Sequence, residues 1–178
     1  QGLVSSYLHD HVQVGSIVQT RAQVGSFVVD AAERRPLVLL AAGVGVTPLL
    51  SMLRHVVYEG QRTRHTRPTY FFHSARNLAE RPFAAELAQL AEIAGNSLLT
   101  CQLLSEPEGS VRPGEHFDVH GRMDIQVLKA WLPFDDYDFY LCGPTPFTQQ
   151  LYNALRAMHI LDLRIHAESF GPSSLARQ

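Results

Sequence analysis

The sequence predicts an α/β fold: a doubly wound, five-stranded parallel sheet in the order 3-2-1-4-5, preceded by a remnant of an antiparallel β-barrel. From residue 36 onward, apolar runs of strand length alternate with segments of helical periodicity, which is typical of repeated βαβ units. The right-handed crossover rule leaves few topologies for such a chain. Residues 16–22 instead alternate apolar and polar side chains between Gly15 and Gly25, which indicates β-structure of a different kind.

The N-terminal region of about 30 residues is too short to form a core of its own, so we expect it to belong to a larger β-unit. Residues 1–33 are therefore assigned to the end of this larger β-unit, which the family resemblance described below implies is a flavin-binding β-barrel, and residues 34–178 to a second domain. The missing initiator Met agrees with the expectation that the sequence is a fragment.

The second domain begins with Leu37-Val38-Leu39-Leu40-Ala41-Ala42, a continuous apolar run expected for a strand that is buried on both faces. Strands are predicted at residues 37–42, 69–73, 97–104, 137–142 and 163–167. Helices are predicted at residues 47–59, 83–93, 124–132 and 146–158, where apolar side chains recur at helical spacing. Residues 105–116 contain Gly, Pro and Glu and are predicted to be a loop.

Composition excludes several classes of protein. The chain has 178 residues, of which 46% are hydrophobic and 18% are charged, so it has enough apolar side chains for a core and is not intrinsically disordered. A net charge of −2 gives no positive field for nucleic acid. The longest apolar runs are shorter than the roughly 20 residues that a membrane helix needs.

Metal and disulfide chemistry are also disfavoured. The two cysteines, Cys101 and Cys142, exclude a disulfide framework and a four-thiolate metal site, and they favour a reduced, cytoplasmic setting. His9 and His11 could share a metal ion, but a solvated loop is the simpler interpretation and no metal is expected.

Two similar turns carry the strongest functional signal. Gly-Val-Gly-Val-Thr-Pro at residues 43–48 and Gly-Pro-Thr-Pro at residues 143–146 each follow an apolar strand and precede a helix. Threonine is a good N-cap, proline suits the first helical position, and glycine lets a ligand come close. Helix N-termini at the carboxyl ends of parallel strands bind anions, so the pair predicts a dinucleotide site. The other interpretation is that both turns are simply tight and well capped.

The first turn is not the usual G-x-G-x-x-G fingerprint, because Pro48 stands in place of the third glycine. No acidic residue ends the next strand, where the sequence reads His73-Ser74-Ala75-Arg76-Asn77. Arg76 could bind a 2′-phosphate, since arginine pairs well with phosphate, or it could be a solvated loop charge. We expect at most a modest preference for NADH.

Three motifs together resemble the ferredoxin–NADP reductase superfamily, and in particular the reductase half of flavohaemoglobins. They are Ala-Gly-Val-Gly-Val-Thr-Pro at residues 42–48, Tyr-Leu-Cys-Gly-Pro at 140–144 and Glu-Ser-Phe-Gly-Pro at 168–172. The opening Gly2-Leu3-Val4-Ser5 is similar to the last stretch of that family's flavin-binding barrel. The family's main flavin motif, Arg-x-Tyr-Ser, normally precedes this point and is absent from the sequence, so we expect the nucleotide domain, and not the flavin site, to be complete.

The resemblance implies an NAD(P)H-dependent flavin oxidoreductase in which a flavin, FAD with FMN possible, receives a hydride and passes single electrons to a haem globin or a [2Fe-2S] ferredoxin-like acceptor. It implies nucleotide contacts from Gly43, Val44, Gly45, Val46, Thr47, Pro48, Ser74 and Arg76. It places Cys142, Gly143 and Pro144 beside the nicotinamide, and it implies flavin contacts from Gly2, Val4, Ser5, Glu168, Phe170, Gly171 and Pro172. Cys142 and Glu168 are the implied catalytic residues.

Alternatives remain at this stage. Cys142 could be an ordinary buried cysteine at a strand end, and Phe170 could serve only C-terminal packing. A module that senses a nucleotide without turnover is the second functional hypothesis, and a non-redox nucleotide-binding α/β enzyme is the third.

Overall fold

The structure is a computed structural model that describes residues 2–20, 25–170 and 175–177. Within these residues the helices are α1 (Leu3–His11), α2 (Val46–Thr63), α3 (Ala84–Ala94), α4 (Ile125–Trp131) and α5 (Thr145–Ala157). The strands are β1 (Leu37–Ala42), β2 (Thr69–Ala75), β3 (Leu98–Leu104), β4 (Val119–His120), β5 (Asp138–Pro144) and β6 (Ile165–Phe170). None of the described helices combines the length and the apolar character needed to cross a membrane.

The described strands form one sheet in the order β4-β3-β2-β1-β5-β6, and every neighbouring pair is parallel. Val38 on β1 lies opposite Tyr70 on β2 and Phe139 on β5. The order predicted for five strands is confirmed, because those strands are β3, β2, β1, β5 and β6. The predicted number is one too low: β4 adds a sixth strand at the edge beside β3, and its two residues are too few to show a period-2 pattern.

Helices cover both faces of the sheet. Leu37, Leu39 and Ala41 of β1 face the core formed with α2 and α3, whereas Val38 and Leu40 face the core formed with α4 and α5. This two-sided burial explains why β1 is apolar at every position. Each fully buried leucine or valine contributes about 1.5–3 kcal/mol by leaving water, so β1 anchors the turn that follows it.

The N-terminal region differs from the prediction of a β-barrel remnant. Residues 3–11 form α1, which begins with a hydrogen bond from the Ser6 N–H to the Gly2 carbonyl, and residues 12–20 and 25–36 contain no strand. A strand needs a neighbouring strand to satisfy its backbone groups, and the described residues provide none here, whereas a helix satisfies them within itself. For these described residues the β prediction is wrong.

The segment before β1 is fixed on the α2 face of the sheet. The Tyr140 hydroxyl donates to the Val28 carbonyl at 2.9 Å, and the ring of Phe27 lies 5.7 Å from that of Tyr140. The buried guanidinium of Arg67 donates to the Asp30 carbonyl at 2.8 Å. These contacts join the segment to the second domain through β5 and the start of β2.

Candidate functional site

The first glycine-rich turn connects β1 to α2, and its two glycines have different roles. Gly43 has a φ of +52°, and nothing lies within 4 Å of the position that a Cβ would take. Gly45 is buried against β5, where a Cβ would lie 2.0 Å from the carbonyl oxygen of Cys142. Gly43 therefore leaves open space beside the turn, whereas Gly45 is required by the contact between α2 and β5 and not by a ligand.

The two Thr-Pro pairs do not cap their helices in the predicted way. α2 begins at Val46, one residue before Thr47, and the Thr47 hydroxyl donates to the Val44 carbonyl at 2.9 Å. α5 begins at Thr145, which puts Pro146 within its first turn, and the N-cap positions of both helices make no side-chain cap bond. The prediction of threonine N-caps is wrong because both threonines already lie inside the helices. The Thr47 hydroxyl bonds back along the chain, as threonine hydroxyls within helices often do.

The second turn, between β5 and α5, packs closely against the first. A Cβ on Gly143 would lie 2.9 Å from the Phe147 ring and 3.0 Å from the Ala42 Cβ. On its other side, the Thr148 and Ser169 hydroxyls are hydrogen-bonded at 2.7 Å, which joins α5 to β6. Because β1 and β5 are neighbours, the two turns lie side by side at the carboxyl edge of the sheet.

A cleft of about 380 Å³ opens at this edge, beside the two turns. Four of the predicted site residues line it: Gly43, Ser74, Arg76 and Pro144. Sequence reasoning missed Glu80, Glu106, Arg122 and Phe147, which also line it. The position of Arg122 depends on β4, which was itself not predicted. An apolar cavity of about 440 Å³ between α4 and α5 lies near the amino end of β5, whereas ligands of open α/β sheets bind at the carboxyl ends.

Charges in the cleft are nearly balanced. Arg76 Nε donates to Glu80 Oε2 at 2.8 Å, and this hydrogen bond, with a further contribution from the Glu106 charge, raises the pKa of Arg76. The pair is largely exposed, so it contributes little to stability. Arg122 forms no ion pair with any described residue. The cleft is therefore lined by two guanidinium groups, those of Arg76 and Arg122, and by two carboxylates, those of Glu80 and Glu106.

The predicted catalytic residues Cys142 and Glu168 lie opposite each other on β5 and β6. The Cys142 side chain is fully buried in the core beneath α2, and burial, assisted by the Glu168 charge, raises the pKa of its thiol to about 12. Glu168 and Phe170 are exposed, and Phe170 lies opposite Pro144 in the register. The arrangement brings a neutral buried thiol, an exposed carboxylate and an exposed aromatic ring to one end of the sheet.

The other predicted nucleotide contacts differ in exposure. Val44 and Thr47 are exposed and Pro48 is half-buried, but Val46 belongs to the core and can offer a ligand only its backbone. Two predicted flavin contacts lie outside the described residues: Gly171 and Pro172.

Gly2, Val4 and Ser5 are exposed at the beginning of α1, whose first-turn N–H groups have no partner within the helix. His9 and His11 also lie on α1, and not in a loop as expected, with exposed side chains. The described residues contain no group of three or more His, Cys, Asp or Glu side chains placed to hold a metal ion.

The parallel sheet and the cleft beside its two glycine turns define an α/β domain of the class that binds ligands at the carboxyl edge of its sheet. Residues 39–152 match the family described as the oxidoreductase NAD-binding domain, and the chain belongs to this family.

Individual relatives make the resemblance more specific. The flavohemoprotein of Oceanobacillus iheyensis is 38% identical over 174 residues, which cover 96% of this chain and 40% of that protein. The flavohem-like FAD/NAD binding domain of nitric oxide dioxygenase from Vibrio cholerae O1 biovar El Tor is 33% identical with a TM-score of 0.76, over 96% of this chain and 65% of that one. The flavohemoglobin of Malassezia yamatoensis, solved with bound FAD and heme, is 27% identical with a TM-score of 0.63. The match covers 82% of this chain and 33% of that one.

These findings confirm the predicted membership of the ferredoxin–NADP reductase superfamily and the likeness to the reductase part of flavohaemoglobins. The chain spans about 40% of the length of the curated relatives that it matches.

Proposed function

We propose that this chain is the NAD(P)H-binding reductase module of a flavohaemoglobin-type electron-transfer protein. NAD(P)H and FAD would supply the hydride and single-electron chemistry when bound. The observation that carries the proposal is the cleft formed where two glycine turns meet at the carboxyl edge of the parallel sheet. The names of the relatives favour FAD over FMN, and a haem over an iron–sulfur acceptor. Cys101 and Cys142 are both free thiols, which supports a cytoplasmic setting.

The residues of the first turn fit a nucleotide. Gly43 leaves open space on the cleft side, so a pyrophosphate can approach the backbone without meeting a side chain. The first N–H groups of α2 and its helix dipole stabilise negative charge at this point. Thr47 is exposed on the same turn, and its hydroxyl, which donates its proton to the Val44 carbonyl, can still accept a hydrogen bond. The chain's contribution at this turn is to bind and orient the phosphates.

The residues at the end of β5 and β6 fit the reacting rings. Pro144 and Phe170 present apolar surface, and Glu168 presents an acceptor beside it. Cys142 stays protonated at neutral pH because burial raises the pKa of its thiol to about 12, so it is neither a nucleophile nor a base. We assign to it the packing that sets the height of the nicotinamide above the strand end.

The start of α1 would hold part of the flavin. Gly2 allows a phosphate to approach, and the exposed hydroxyl of Ser5 and the backbone N–H of Val4 lie in the first turn, where the helix dipole favours an anion. This contact is separate from the cleft that receives the nucleotide.

We further propose that the cleft prefers NADH over NADPH. Arg76 is paired with Glu80, and Glu106 adds a second negative charge nearby. A 2′-phosphate at this point would meet two carboxylates as well as the guanidinium group. The remaining cation, Arg122, keeps the preference modest.

Binding of NADH and NADPH to the chain tests the proposal, with calorimetric titration as the measurement. The Gly43→Asn variant places a side chain in the cleft at a positive φ that asparagine tolerates better than most residues. We expect at least a tenfold loss of NADH affinity. Gly45→Val is the wrong variant for this purpose, because its side chain would clash with the backbone of Cys142.

Gly109→Asn is the matched control, because Gly109 also has a positive φ, +64°, has open space at its Cβ position and does not line the cleft. It should bind NADH like the parent chain. Equal affinity of the Gly43 and Gly109 variants would contradict the placement of the nucleotide, and no saturable binding by the parent would contradict the proposed function.

A further inference from the structure

Two hydroxyl groups join β6 to α5 at the carboxyl end of the sheet. The Oγ1 atom of Thr148 lies 2.7 Å from the Oγ atom of Ser169. Thr148 lies near the start of α5 and is fully buried, and Ser169 is the last residue but one of β6. A buried hydroxyl group costs free energy unless it is hydrogen-bonded, so this bond holds the helix and the strand together at one defined point.

A second hydrogen bond of Thr148 determines the direction of the first. The Thr148 hydroxyl donates to the carbonyl of Thr145, the first residue of α5, at 3.1 Å. A hydroxyl has one proton to donate and two lone pairs that accept. Because Thr148 uses its proton on the Thr145 carbonyl, it accepts the proton of Ser169. The end of β6 is thereby tied, through Thr148, to a residue of the second turn.

The position of β6 at the edge of the sheet makes this tie important. Among the described strands β5 is its only neighbour, and the two are paired as far as Pro144 and Phe170. On one face of β6, Ile165 and Ala167 pack into the core formed with α4 and α5. Ser169 follows two residues after Ala167 and therefore points to the same face. Its hydrogen bond continues the attachment of β6 to the helical layer up to the carboxyl end of the strand.

The two neighbours of Ser169 in the strand point to the opposite face. They are Glu168 and Phe170, and both are exposed, so packing restrains them less than it restrains a core residue. Glu168 lies opposite Cys142, and Phe170 lies opposite Pro144, which lines the cleft. The positions of both side chains relative to the cleft therefore depend on how firmly the strand itself is held.

We propose that Thr148 and Ser169 are positioning residues, which hold the carboxyl end of β6 so that Glu168 and Phe170 keep their places beside the reacting rings. The part that concerns the rings rests on the proposed function, whereas the hydrogen bond between the two hydroxyls does not. Thr148 is fully buried, so it can act only through the strand that it holds.

A double-mutant cycle tests the hydrogen bond and needs no ligand. Thr148→Val keeps the shape of the side chain but removes its hydroxyl, and Ser169→Ala removes the hydroxyl of the partner. Each single variant should lower the urea midpoint of unfolding. The double variant should lose clearly less than the sum of the two, because the second substitution removes a group whose partner is already missing. Losses that simply add would overturn the proposal.

Stopped-flow reduction of the flavin, in a flavin-containing form of the protein, tests the positioning role. Thr148→Val and Ser169→Ala should each slow reduction at saturating NADH by about three- to tenfold, less than the hundredfold that a displacement of about 1 Å can cost. The affinity for NADH should change less than about twofold, because the loss is confined to the alignment of the reacting groups. Thr148→Ser keeps the hydroxyl but loses a buried methyl group, and its rate should stay within about twofold of the parent.

Thr69→Val is the matched control. Thr69 is also buried, and its hydroxyl donates to the Arg67 carbonyl at 2.9 Å, but it lies at the amino end of β2. This variant should reduce the flavin at the rate of the parent, even where its stability falls as much as that of Thr148→Val. If both valine variants are equally slow, or if Thr148→Ser is as slow as Thr148→Val, Thr148 serves only packing and the proposal is wrong. If the parent shows no flavin reduction by NADH or NADPH, the positioning role fails with the proposed function, and the double-mutant cycle still decides the hydrogen bond.

Discussion

Replacing Gly45 by alanine should separate α2 from β5. The new Cβ would lie 2.0 Å from the Cys142 oxygen, 2.3 Å from its carbonyl carbon and 2.7 Å from the Gly143 nitrogen. Real Cβ contacts are essentially never below 3.0 Å, so the two backbones must move apart by at least 1 Å. Since every clashing atom belongs to the backbone, no rotamer change can relieve the overlap.

The expected loss of stability follows from this geometry. Overpacking of a core typically costs about 1–3 kcal/mol when side chains can adjust, so a clash between backbones should reach the upper end, about 3 kcal/mol. The displaced helix also begins with the core residues Val46, Leu49 and Leu50. For a domain of this size, about 3 kcal/mol corresponds to a fall in Tm of roughly 6–12 °C.

Urea unfolding followed by circular dichroism measures this loss, and Gly43→Ala is the control. Gly43 has a positive φ but no neighbour within 4 Å of the Cβ position, so only backbone strain of about 1–2 kcal/mol is expected. If Gly45→Ala unfolds within about 0.5 kcal/mol of the parent, the close contact between α2 and β5 is wrong.

Three further predictions concern the cleft, pH and the reacting rings. A variant with both Glu80→Gln and Glu106→Gln should bind NADPH about fivefold more tightly with little change for NADH in calorimetry; an unchanged ratio would refute the charge argument. As pH falls from 6.5 toward 4, the unfolded chain protonates His73 before the folded chain does, because burial lowers its folded pKa to about 4. The free energy of unfolding should therefore fall by up to about 1.4 kcal/mol per pH unit. If the urea midpoint of His73→Leu falls as steeply with pH as that of the parent, this explanation is wrong. In a flavin-containing form of the protein, Glu168→Gln and Cys142→Ala should each slow flavin reduction at saturating NADH, measured by stopped flow, with little change in the affinity for NADH. If both variants reduce the flavin at the rate of the parent, the two residues have only a structural role.

The sequence predicted those parts of the fold that depend on local pattern and burial. β1 is apolar at every position because both its faces are covered, and this signal is visible without a structure. β4 was missed because a strand of two residues shows no recognisable alternation of side chains. The position of Arg122 in the cleft, just after β4, could not be predicted for the same reason. The β prediction for residues 16–20 failed because alternation alone cannot supply a partner strand.

At the site, the sequence identified the glycines but not what each one contacts. Both were expected to admit a ligand, yet Gly45 faces the backbone of Cys142, which is distant in sequence. Contacts of this kind depend on which strands are neighbours, so they can be identified only once the order of the strands in the sheet is known.

The two turns are packed tightly against each other, because neither Gly45 nor Gly143 has room for a Cβ on the side that faces its neighbours. Gly45 meets the carbonyl of Cys142, and Gly143 meets Ala42, so the start of α2 cannot move without the end of β5. The separation between the first turn and the Cys142–Glu168 pair is therefore set mainly by the pairing of β1, β5 and β6. A misplacement of about 1 Å can cost around a hundredfold in rate when reacting groups must be aligned. Under the proposed function, Gly45 and Gly143 would thus keep the nucleotide-binding turn and the Cys142–Glu168 pair at a set separation, whereas the exposed residues that line the cleft could vary with the choice of nucleotide.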